Sequence, residues 1–244
     1  MNKIESIYKL VGLITCSGLY RLIKRVKRLN GINKIILCTS TNKQDDKLAN
    51  IANKNNYRLI YNHNVGGYGS NVKNSLMYAF NELKADYAIE VHGDHAQFDP
   101  SATYDAIEYL KNDYDFISGS RFLKFRENMK FGYPFERMIP NFFISNIEKV
   151  ILKIPLSDFH QGFKIYSRKF FQKMDLSYMS NDFLFNFETI LLSKQLKLKI
   201  AEVPVVANYN LPHTSHKLFG KNSAFTYQIK TFKLIYRYLK NGKI

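Results

Sequence analysis

Residues 86–100 read DYAIEVHGDHAQFDP, and this stretch indicates the fold more clearly than any other part of the sequence. Its first half, DYAIEV, is an apolar, β-branched run typical of a buried strand, and polar residues follow it at once. Three similar runs precede it, each followed by a segment with helical spacing. Strands that alternate with helices predict βαβ units and a mostly parallel central sheet with helices on both faces.

The earlier elements can be placed from the same pattern. Strands are predicted at KLVGLITC (9–16), INKIILCTS (32–40) and YRLIYNHN (57–64). Helices are predicted over residues 19–29, 45–53 and 70–83. Ligands of parallel α/β sheets bind where the strands reach their carboxyl ends. Here those ends are residues 16, 39–41, 62–64 and 92–97.

The chain has 244 residues and the composition of an ordinary globular protein. Hydrophobic residues make up 45% and charged residues 23%, which excludes collagen-like, low-complexity and wholly disordered classes. We find no internal repeat and no linker rich in proline or serine. We therefore expect one domain over residues 1–216, followed by a basic tail over residues 217–244.

Three absences in the sequence point to the cytoplasm. No run of 18 uncharged apolar residues occurs, and the opening MNKIESIYKL lacks the apolar core of a signal peptide. The two cysteines, Cys16 and Cys38, lack the CxxC spacing of a zinc or redox site. We expect a cytoplasmic protein without a disulfide framework.

Charge is distributed unevenly along the chain. The formal net charge is +16, yet residues 81–120 hold nine acidic residues and two lysines. From residue 217 to the end there are seven basic residues and no acidic one. This segregation favours a cation site within a protein that otherwise handles anions, and we expect no nucleic-acid partner.

Potential metal ligands follow the strand of residues 86–91. Asp94, His95 and Gln97 lie just beyond it, and Asp99-Pro100 is a usual helix start. Oxygen and imidazole ligands suit Mg²⁺ or Mn²⁺, and such a site leaves positions open for phosphate oxygens. The alternative is a polar turn in which Asp94 and Asp99 cap the next helix, and spacing alone leaves both open.

Two further segments carry polar groups next to predicted strands. GSRF (119–122) ends the apolar run YDFISGS and places Arg121 where a planar guanidinium could bind phosphate. DFHQGFKIYSR (158–168) places a carboxylate, a histidine and a glycine before another strand.

Taken in order, these segments resemble family 2 glycosyltransferases with a GT-A fold, and most of all the branch that transfers sugars to dolichyl or polyprenyl phosphate. The resemblance covers roughly residues 61–217. The matching segments are Asn64-x-x-Gly67, HGDHAQFDP (92–100), GSRF, Arg137 with Ser145-Asn146, DFHQGFKIYSR, FNFE (185–188) and EVPV (202–205).

The resemblance implies a metal that bridges the donor diphosphate. In the family this metal is bound by the acidic segment, which here implies Asp94 and Gln97. The carboxylate usually stands two residues before the glutamine, where this chain has His95. Either Asp94 is still the ligand after an insertion, or His95 has replaced it, and the metal is Mg²⁺ or Mn²⁺.

The other site residues are likewise implied by the resemblance. Asp158 would lie at the transferred sugar as an orienting carboxylate or base, and Glu188 would help to form the acceptor side. The donor and its phosphates would be bound by Asn64, Gly67, Arg121, Arg137, His216 and Lys217. The resemblance also implies a nucleotide-sugar donor, a polyprenyl-phosphate or lipid-linked acceptor, inversion of configuration and a role in cell-envelope glycan synthesis.

The N-terminal third departs from the family. Its predicted strand ends read TCSG and CTSTNKQDD, without the base-binding turns that the family usually has. Residues 19–61 look more like the start of sugar cytidylyltransferases, although the glycine- and arginine-rich loop of those enzymes is absent. A sugar nucleotidyltransferase and a catalytically inactive binding protein therefore remain alternative functions.

The tail predicts a basic amphipathic helix. One helical stripe is apolar and another is basic. The apolar stripe comprises Phe225, Ile229, Phe232, Tyr236 and Leu239, and the basic one Lys230, Lys233, Arg237 and Lys240. Such a helix could lie on an anionic membrane surface at the inner face of the membrane, or it could pack on the core with a solvated basic face.

Overall fold

The computed structural model describes residues 10–15, 32–39, 46–61, 67–92, 99, 101–210 and 223–244. Within these ranges the strands are β1 (Leu10–Thr15), β2 (Ile32–Thr39), β3 (Arg58–Tyr61), β4 (Tyr87–His92), β5 (Phe116–Ser120), β6 (Lys164–Ser167) and β7 (Ile200–Pro204). The helices are α1 (Asp46–Asn55), α2 (Tyr68–Met77), α3 (Ala102–Lys111), α4 (Phe125–Lys130), α5 (Phe135–Leu152), α6 (Arg168–Lys173), α7 (Leu184–Gln195) and α8 (Ala224–Asn241).

Two short turns of irregular helix complete the described chain. A π-helical turn over Tyr78–Glu82 extends α2, and a 3₁₀ turn over Phe122–Lys124 leads into α4. The four predicted strands of residues 9–91 and the predicted helices of residues 45–53 and 70–83 are confirmed within a few residues. The helix predicted over residues 19–29 lies outside the described ranges.

The seven strands form one sheet in the order β3-β2-β1-β4-β6-β5-β7. Strands β1 to β4 pair in parallel, and so do β5 and β7. Strand β6 runs antiparallel to both of its neighbours, β4 and β5. The start of β6 therefore lies at the same edge of the sheet as the ends of β4 and β5. The prediction of a mostly parallel sheet is confirmed, with β6 as the reversed strand.

Helices cover both faces of this sheet. On β4, Ala88 packs into one apolar core and Ile89 into the other, as the alternation of side chains in a strand requires. Helices α2, α7 and α8 contribute to the first core, and α1 and α3 to the second. The two-sided arrangement fixes which strand residues face each layer.

The last helix packs on the first core, but not with the stripe that the sequence predicts. Thr231, Leu234 and Ile235 of α8 are buried. All five side chains of the predicted apolar stripe are exposed. The two predicted alternatives are thus not exclusive, because one face of α8 packs while another presents apolar groups to the outside. None of the helices in the described ranges has the length and apolar character needed to cross a bilayer.

Candidate active site

The reversed strand β6 brings two chain segments together at one edge of the sheet. The chain leaves β5 at Ser120 and continues directly into Arg121, and it enters β6 at Lys164 from a loop that contains Asp158. The segment that follows β7 returns to the same edge, where Val205 N donates to Ser120 O at 2.9 Å. Two of the predicted site residues, which are 37 positions apart in sequence, therefore meet.

Arg121 and Asp158 form a bidentate ion pair. Arg121 Nε lies 2.7 Å from Asp158 Oδ2, and Arg121 Nη2 lies 2.9 Å from Oδ1. The backbone N–H groups of Arg121 and His160 each donate to the same carboxylate at 3.2 Å. Both side chains of the pair are buried. Parallel bonds of this kind fix the orientation of the carboxylate as well as its position.

The pair sets the protonation state of both groups. Burial alone would raise the pKa of Asp158, but the charge and hydrogen bonds of Arg121 outweigh this, so the pKa lies below its usual value. Burial would lower the pKa of Arg121, and Asp158 reverses the direction. A carboxylate with a depressed pKa stabilises the fold above its unfolded pKa of about 4, and this contribution is lost as pH falls through the folded value. Asp158 is therefore ionised at neutral pH and a weak proton acceptor.

Two stacked tyrosines flank the guanidinium. Arg121 Nη1 donates to the hydroxyl of Tyr209 at 3.0 Å, and the guanidinium carbon lies 5.0 Å from the ring centroid of Tyr133. The two rings stack with centroids 4.6 Å apart. A cation over an aromatic face is stabilised by the ring quadrupole. Three of the five N–H groups of Arg121 thus donate to Asp158 and Tyr209.

A glutamate of β7 holds the loop that carries Asp158. Glu202 Oε1 accepts from the backbone N–H groups of Ser157 and Asp158 at 2.8 and 3.1 Å, and Oε2 accepts from Ser157 Oγ at 2.7 Å. Ser157 Oγ also lies 2.7 Å from Ser120 Oγ, next to Arg121. Burial raises the pKa of Glu202. The sequence predicts no role for Glu202, whose signal is one acidic residue within an apolar strand.

A lysine lies in the same row of side chains across the sheet. Register places Glu90 opposite Lys164, Lys164 opposite Ser118, and Ser118 opposite Glu202. Lys164 is fully buried, and its Nζ donates to Ser118 Oγ at 2.6 Å. Burial lowers its pKa to about 8 even though Asp158, Glu90 and Glu202 favour the charged form. This row is a second feature that sequence reasoning missed.

Two tyrosines complete the row at Glu90. Tyr166 OH donates to Glu90 Oε2 at 2.8 Å, and Tyr68 OH donates to Glu90 Oε1. Burial raises the pKa of both phenols well above its usual value, with the charge of Glu90 as a further cause. Both tyrosines therefore stay protonated and act as donors. The row thus lies between Tyr68 at the start of α2, which donates to Glu90, and the site loop, which Glu202 holds.

The predicted residues Gly67 and Glu188 meet at another turn, over residues 180–182. Glu188 accepts from Ser180 N at 2.7 Å and from Ser180 Oγ at 2.6 Å, and burial raises its pKa. Gly67 has φ +140°, and a Cβ there would lie 2.3 Å from Asn181 O. Only glycine fits such a position without strain. The start of α2 is therefore packed directly on the turn that Glu188 holds.

His160 anchors the site loop to two helices. Its Nε2 lies 3.0 Å from Glu148 Oε2 on α5, and its Nδ1 lies 3.4 Å from the hydroxyl of Tyr227 on α8. The imidazole also stacks on Phe187 of α7. The loop before β6 is thus held by helices α5, α7 and α8 as well as by Glu202.

The remaining predicted site residues are placed only in part. Arg137 is half-buried on α5 and makes no ion pair with the described residues. Asp99 Oδ1 accepts from Ser101 N at 2.9 Å, so Asp99 closes the turn that enters α3. Within the described ranges no group of three His, Cys, Asp or Glu residues could hold a metal ion. Outside these ranges lie Asn64, Asp94, His95, Gln97, His216 and Lys217.

The fold and this edge of the sheet define a class, that of nucleotide-sugar transferases with a GT-A fold. A family model described as glycosyl transferase family 2 matches residues 16–175, which is about two-thirds of the chain. The chain therefore belongs to glycosyl transferase family 2. The matched range includes both Arg121 and Asp158, and membership supports glycosyltransferase activity.

Solved structures of two kinds are similar in fold. Glucosyl-3-phosphoglycerate synthase from Mycobacterium tuberculosis, in complex with Mn²⁺, uridine diphosphate and phosphoglyceric acid, is 12% identical with a TM-score of 0.64. The match covers 97% of this chain and 78% of that one. At this identity the likeness establishes the fold alone, and it confirms the predicted GT-A architecture.

The second kind comprises cytidylyl-type enzymes. 4-Diphosphocytidyl-2C-methyl-D-erythritol synthase from Anaerococcus prevotii is 11% identical over 96% of this chain and 99% of that one, with a TM-score of 0.55. CMP:2-keto-3-deoxy-manno-octonic acid synthetase complexed with CTP is 12% identical over 94% and 99%, with a TM-score of 0.50. The resemblance to cytidylyltransferases noted in the sequence is thus matched at the level of fold.

Glu202→Gln tests the role of Glu202 in holding the site loop. The amide keeps the shape of the side chain but retains one acceptor oxygen in place of two. We expect a loss of about 1–3 kcal/mol in the free energy of unfolding, measured by urea denaturation. Glu108→Gln, at an exposed glutamate of α3, should change it by less than about 0.5 kcal/mol. Equal effects of the two substitutions would show that Glu202 does not hold the loop.

Lys164 should make stability depend on pH in the alkaline range. Between about pH 8 and about 10.4 the unfolded chain keeps the lysine proton and the folded chain loses it, so stability rises with pH. The free energy of unfolding of the wild type, measured relative to that of Lys164→Met, should therefore rise by about 2 kcal/mol from about pH 7 to about pH 9.5. The measurement is urea denaturation at both pH values.

The control for this experiment is Lys111→Met, at a half-exposed lysine of α3. The difference in free energy of unfolding between Lys111→Met and the wild type should stay constant over the same pH range. If the difference in free energy of unfolding between Lys164→Met and the wild type is also constant, the buried amine of Lys164 does not become neutral above about pH 8.

Proposed function

We propose that this protein transfers a sugar from a nucleotide-sugar donor to a polyprenyl-phosphate or lipid-linked acceptor, with inversion, in cell-envelope glycan synthesis. The observation that carries the proposal is the buried bidentate pair of Arg121 and Asp158 at the strand edge of a family 2 chain. Both residues belong to segments that resemble the polyprenyl-phosphate branch. The reaction would take place at the cytoplasmic face of a membrane.

The donor diphosphate needs a divalent cation, and the segment after β4 has ligands of the right kind. The residues that we propose for Mg²⁺ or Mn²⁺ are Asp94, His95 and Gln97, whose oxygen and imidazole groups suit these ions. Strand β4, which precedes these residues in the chain, ends at His92 and lies between β1 and β6 in the sheet. A bound cation would neutralise charge that develops on the leaving diphosphate. The structure of glucosyl-3-phosphoglycerate synthase from Mycobacterium tuberculosis, which is similar in fold, contains Mn²⁺ with uridine diphosphate.

We assign Asp158 a positioning role at the transferred sugar. Its oxygens accept from Arg121 and from the backbone of His160, and its depressed pKa makes it a weak base. An acceptor phosphate is already anionic and needs no strong base. The observed environment thus favours a phosphate acceptor over a sugar hydroxyl, which would require proton removal. Orientation by a fixed carboxylate contributes to catalysis through geometry.

The other predicted residues complete the proposed site. Arg121 and Arg137 would contribute positive charge near phosphates, together with His216 and Lys217. Asn64 and Gly67 would lie beside the donor at the start of α2. Glu188 would act on the acceptor side, through the turn of residues 180–182 that its carboxylate holds.

Helix α8 supports the membrane part of the proposal. Phe225, Ile229, Phe232, Tyr236 and Leu239 are exposed along one stripe, beside the basic stripe that the sequence predicts. Apolar side chains next to cations are the features that bind a helix to an anionic membrane surface. We propose that α8 places the enzyme at the membrane, where a lipid-linked acceptor is found.

A sugar nucleotidyltransferase is the second candidate. It is favoured by the likeness to two cytidylyl-type enzymes, which covers nearly all of this chain, and by the atypical N-terminal third. This activity would consume a nucleoside triphosphate and release pyrophosphate, whereas sugar transfer would release a nucleoside diphosphate. An inactive protein on the same scaffold would bind nucleotide without turnover.

Thermal stabilisation by nucleotides tests the donor site. We expect one nucleoside diphosphate or nucleotide-sugar to raise the melting temperature when Mn²⁺ or Mg²⁺ is present, because a ligand of the folded state stabilises it. At about 100 times Kd the gain is about 2.7 kcal/mol. The gain should disappear in Asp94→Asn and persist in Asp113→Asn, at an exposed turn.

Turnover assays then separate the candidate functions. Transfer of labelled sugar to polyprenyl phosphate with release of nucleoside diphosphate is the expected result. Pyrophosphate release from a nucleoside triphosphate and a sugar would instead establish the nucleotidyltransferase. Absence of a thermal shift with every nucleotide tried would overturn the donor site itself.

A further inference from the structure

Two buried ionisable side chains that lie near Asp158 have no part in the proposed sugar transfer. Glu148 of α5 is 0% exposed, and the side chain of His160 is 6% exposed. Nε2 of His160 lies 3.0 Å from Oε2 of Glu148. An unpaired charge is strongly unfavourable inside a protein, so a buried carboxylate at this distance from an imidazole depends on it as a partner.

The carboxylate of Glu148 has no other such partner among the described residues. Neither of its oxygens accepts a hydrogen bond from the described part of the chain, and His160 is its one ion-pair contact there. Buried polar groups are nearly always hydrogen-bonded, and an exception can mark a group with a role in catalysis. Glu148 is therefore held by one polar contact, and that contact leads to the loop of Asp158.

The imidazole of His160 is enclosed on its other sides. Its Nδ1 lies 3.4 Å from the hydroxyl of Tyr227, and its Nε2 lies 3.4 Å from Nε2 of Gln228, both on α8. Its ring is nearly parallel to that of Phe187 on α7, with an angle of 15° between the planes. Contacts with three helices thus fix where this side chain lies.

The backbone of His160 reaches the carboxylate of Asp158. Its N–H donates to Oδ1 at 3.2 Å, and the same oxygen accepts from Nη2 of Arg121 at 2.9 Å. Hydrogen bonds weaken steeply when donor and acceptor are misaligned, so the bond to Oδ1 depends on where the backbone of His160 is held. The contacts of the imidazole therefore influence how the carboxylate of Asp158 is oriented.

We propose that Glu148 and His160 form a positioning pair for Asp158. Glu148 holds the imidazole, and the backbone N–H of His160 thereby keeps Oδ1 of Asp158 in the orientation that the transferred sugar requires. Both are positioning residues, since they act through Asp158 and do not touch the substrate. The pair rests on the proposed function for the reaction that it serves, whereas its contact with Asp158 does not.

Glu148→Gln tests the pair because it keeps the shape of the side chain and removes the charge. We expect kcat for sugar transfer to fall about 10- to 100-fold, since a misplacement of about 1 Å can cost about 100-fold. KM for the nucleotide-sugar should stay within about twofold, because no contact with the donor is lost. Steady-state kinetics well below the melting temperature of the variant measure both constants. Glu136→Gln, at an exposed glutamate of α5, is the matched control and should change neither.

A double variant separates positioning from stability. His160→Phe keeps a ring beside Phe187 but leaves Glu148 unpaired, so the melting temperature should fall by more than about 6 °C. Adding Glu148→Leu removes the buried charge and should restore most of the melting temperature. We expect kcat to stay at least about tenfold low in the double variant, because the polar contacts that place the backbone N–H at position 160 are gone.

Hydrogen exchange followed by NMR reports on this N–H without any substrate. The backbone amide of His160 should exchange slowly in the wild type, because it donates to Asp158. In Glu148→Gln its exchange should become at least about tenfold faster relative to that of the Ile89 amide in β4, which reports on the stability of the core. In Glu136→Gln the ratio of the two rates should stay as in the wild type.

Three results would overturn the proposal. A kcat and a His160 exchange rate in Glu148→Gln that both match the wild type would show that Glu148 does not act on Asp158. Recovery of kcat together with the melting temperature in the double variant would reduce the pair to a contribution to stability. A KM that rises while kcat is unchanged would assign Glu148 to donor binding.

The proposed function can fail separately. If the wild type transfers no sugar but Glu148→Gln shows the faster exchange at His160, the function is wrong and the pair still positions Asp158. If sugar is transferred and Glu148→Gln matches the wild type in both measurements, the function stands and the positioning pair is wrong.

Discussion

The buried ion pair between Arg121 and Asp158 is the interaction on which the candidate site depends. Taking both charges out of water is costly, and the cost is offset only when geometry is good and the remaining lone pairs are satisfied. Here both conditions are met, by two side-chain bonds and by two backbone N–H groups on the same carboxylate. The reversed strand β6 makes the pair possible, because it brings the Asp158 loop to the edge where β5 ends.

The surrounding structure keeps this pair in place and determines its chemistry. Glu202 accepts hydrogen bonds from the backbone of the Asp158 loop, and His160 of the same loop contacts Glu148 on α5 and Tyr227 on α8. The hydroxyl of Tyr209 accepts from Nη1 of Arg121. A carboxylate held in this way is fixed in orientation, and its lowered pKa makes it a weak base. This environment supports our proposal that the sugar is transferred to an acceptor that is already anionic, and the exposed apolar stripe of α8 supports the proposal that this acceptor is anchored in lipid.

The sequence predicts the sheet well because its strands are apolar runs that alternate with helical segments. It does not predict the direction of β6, which depends on pairing with β4 and β5 and not on any local pattern. Arg121 and Asp158 could each be named from their segments, but their ion pair follows from that reversal. Glu90, Lys164 and Glu202 form one row only through the register of four strands. The spacing also predicts the apolar stripe of α8, but it does not predict which face of the helix packs on the core: the stripe is exposed, and Thr231, Leu234 and Ile235 are buried.

A double-mutant cycle on the free energy of unfolding tests the central ion pair most directly. Arg121→Met and Asp158→Leu should each cost about 3–5 kcal/mol, because each leaves one buried charge unpaired. The double variant should cost clearly less than the sum, with a coupling of about 2–3 kcal/mol. Single effects that simply add, within about 0.5 kcal/mol, would show that the two residues do not form the pair on which this account of the site depends.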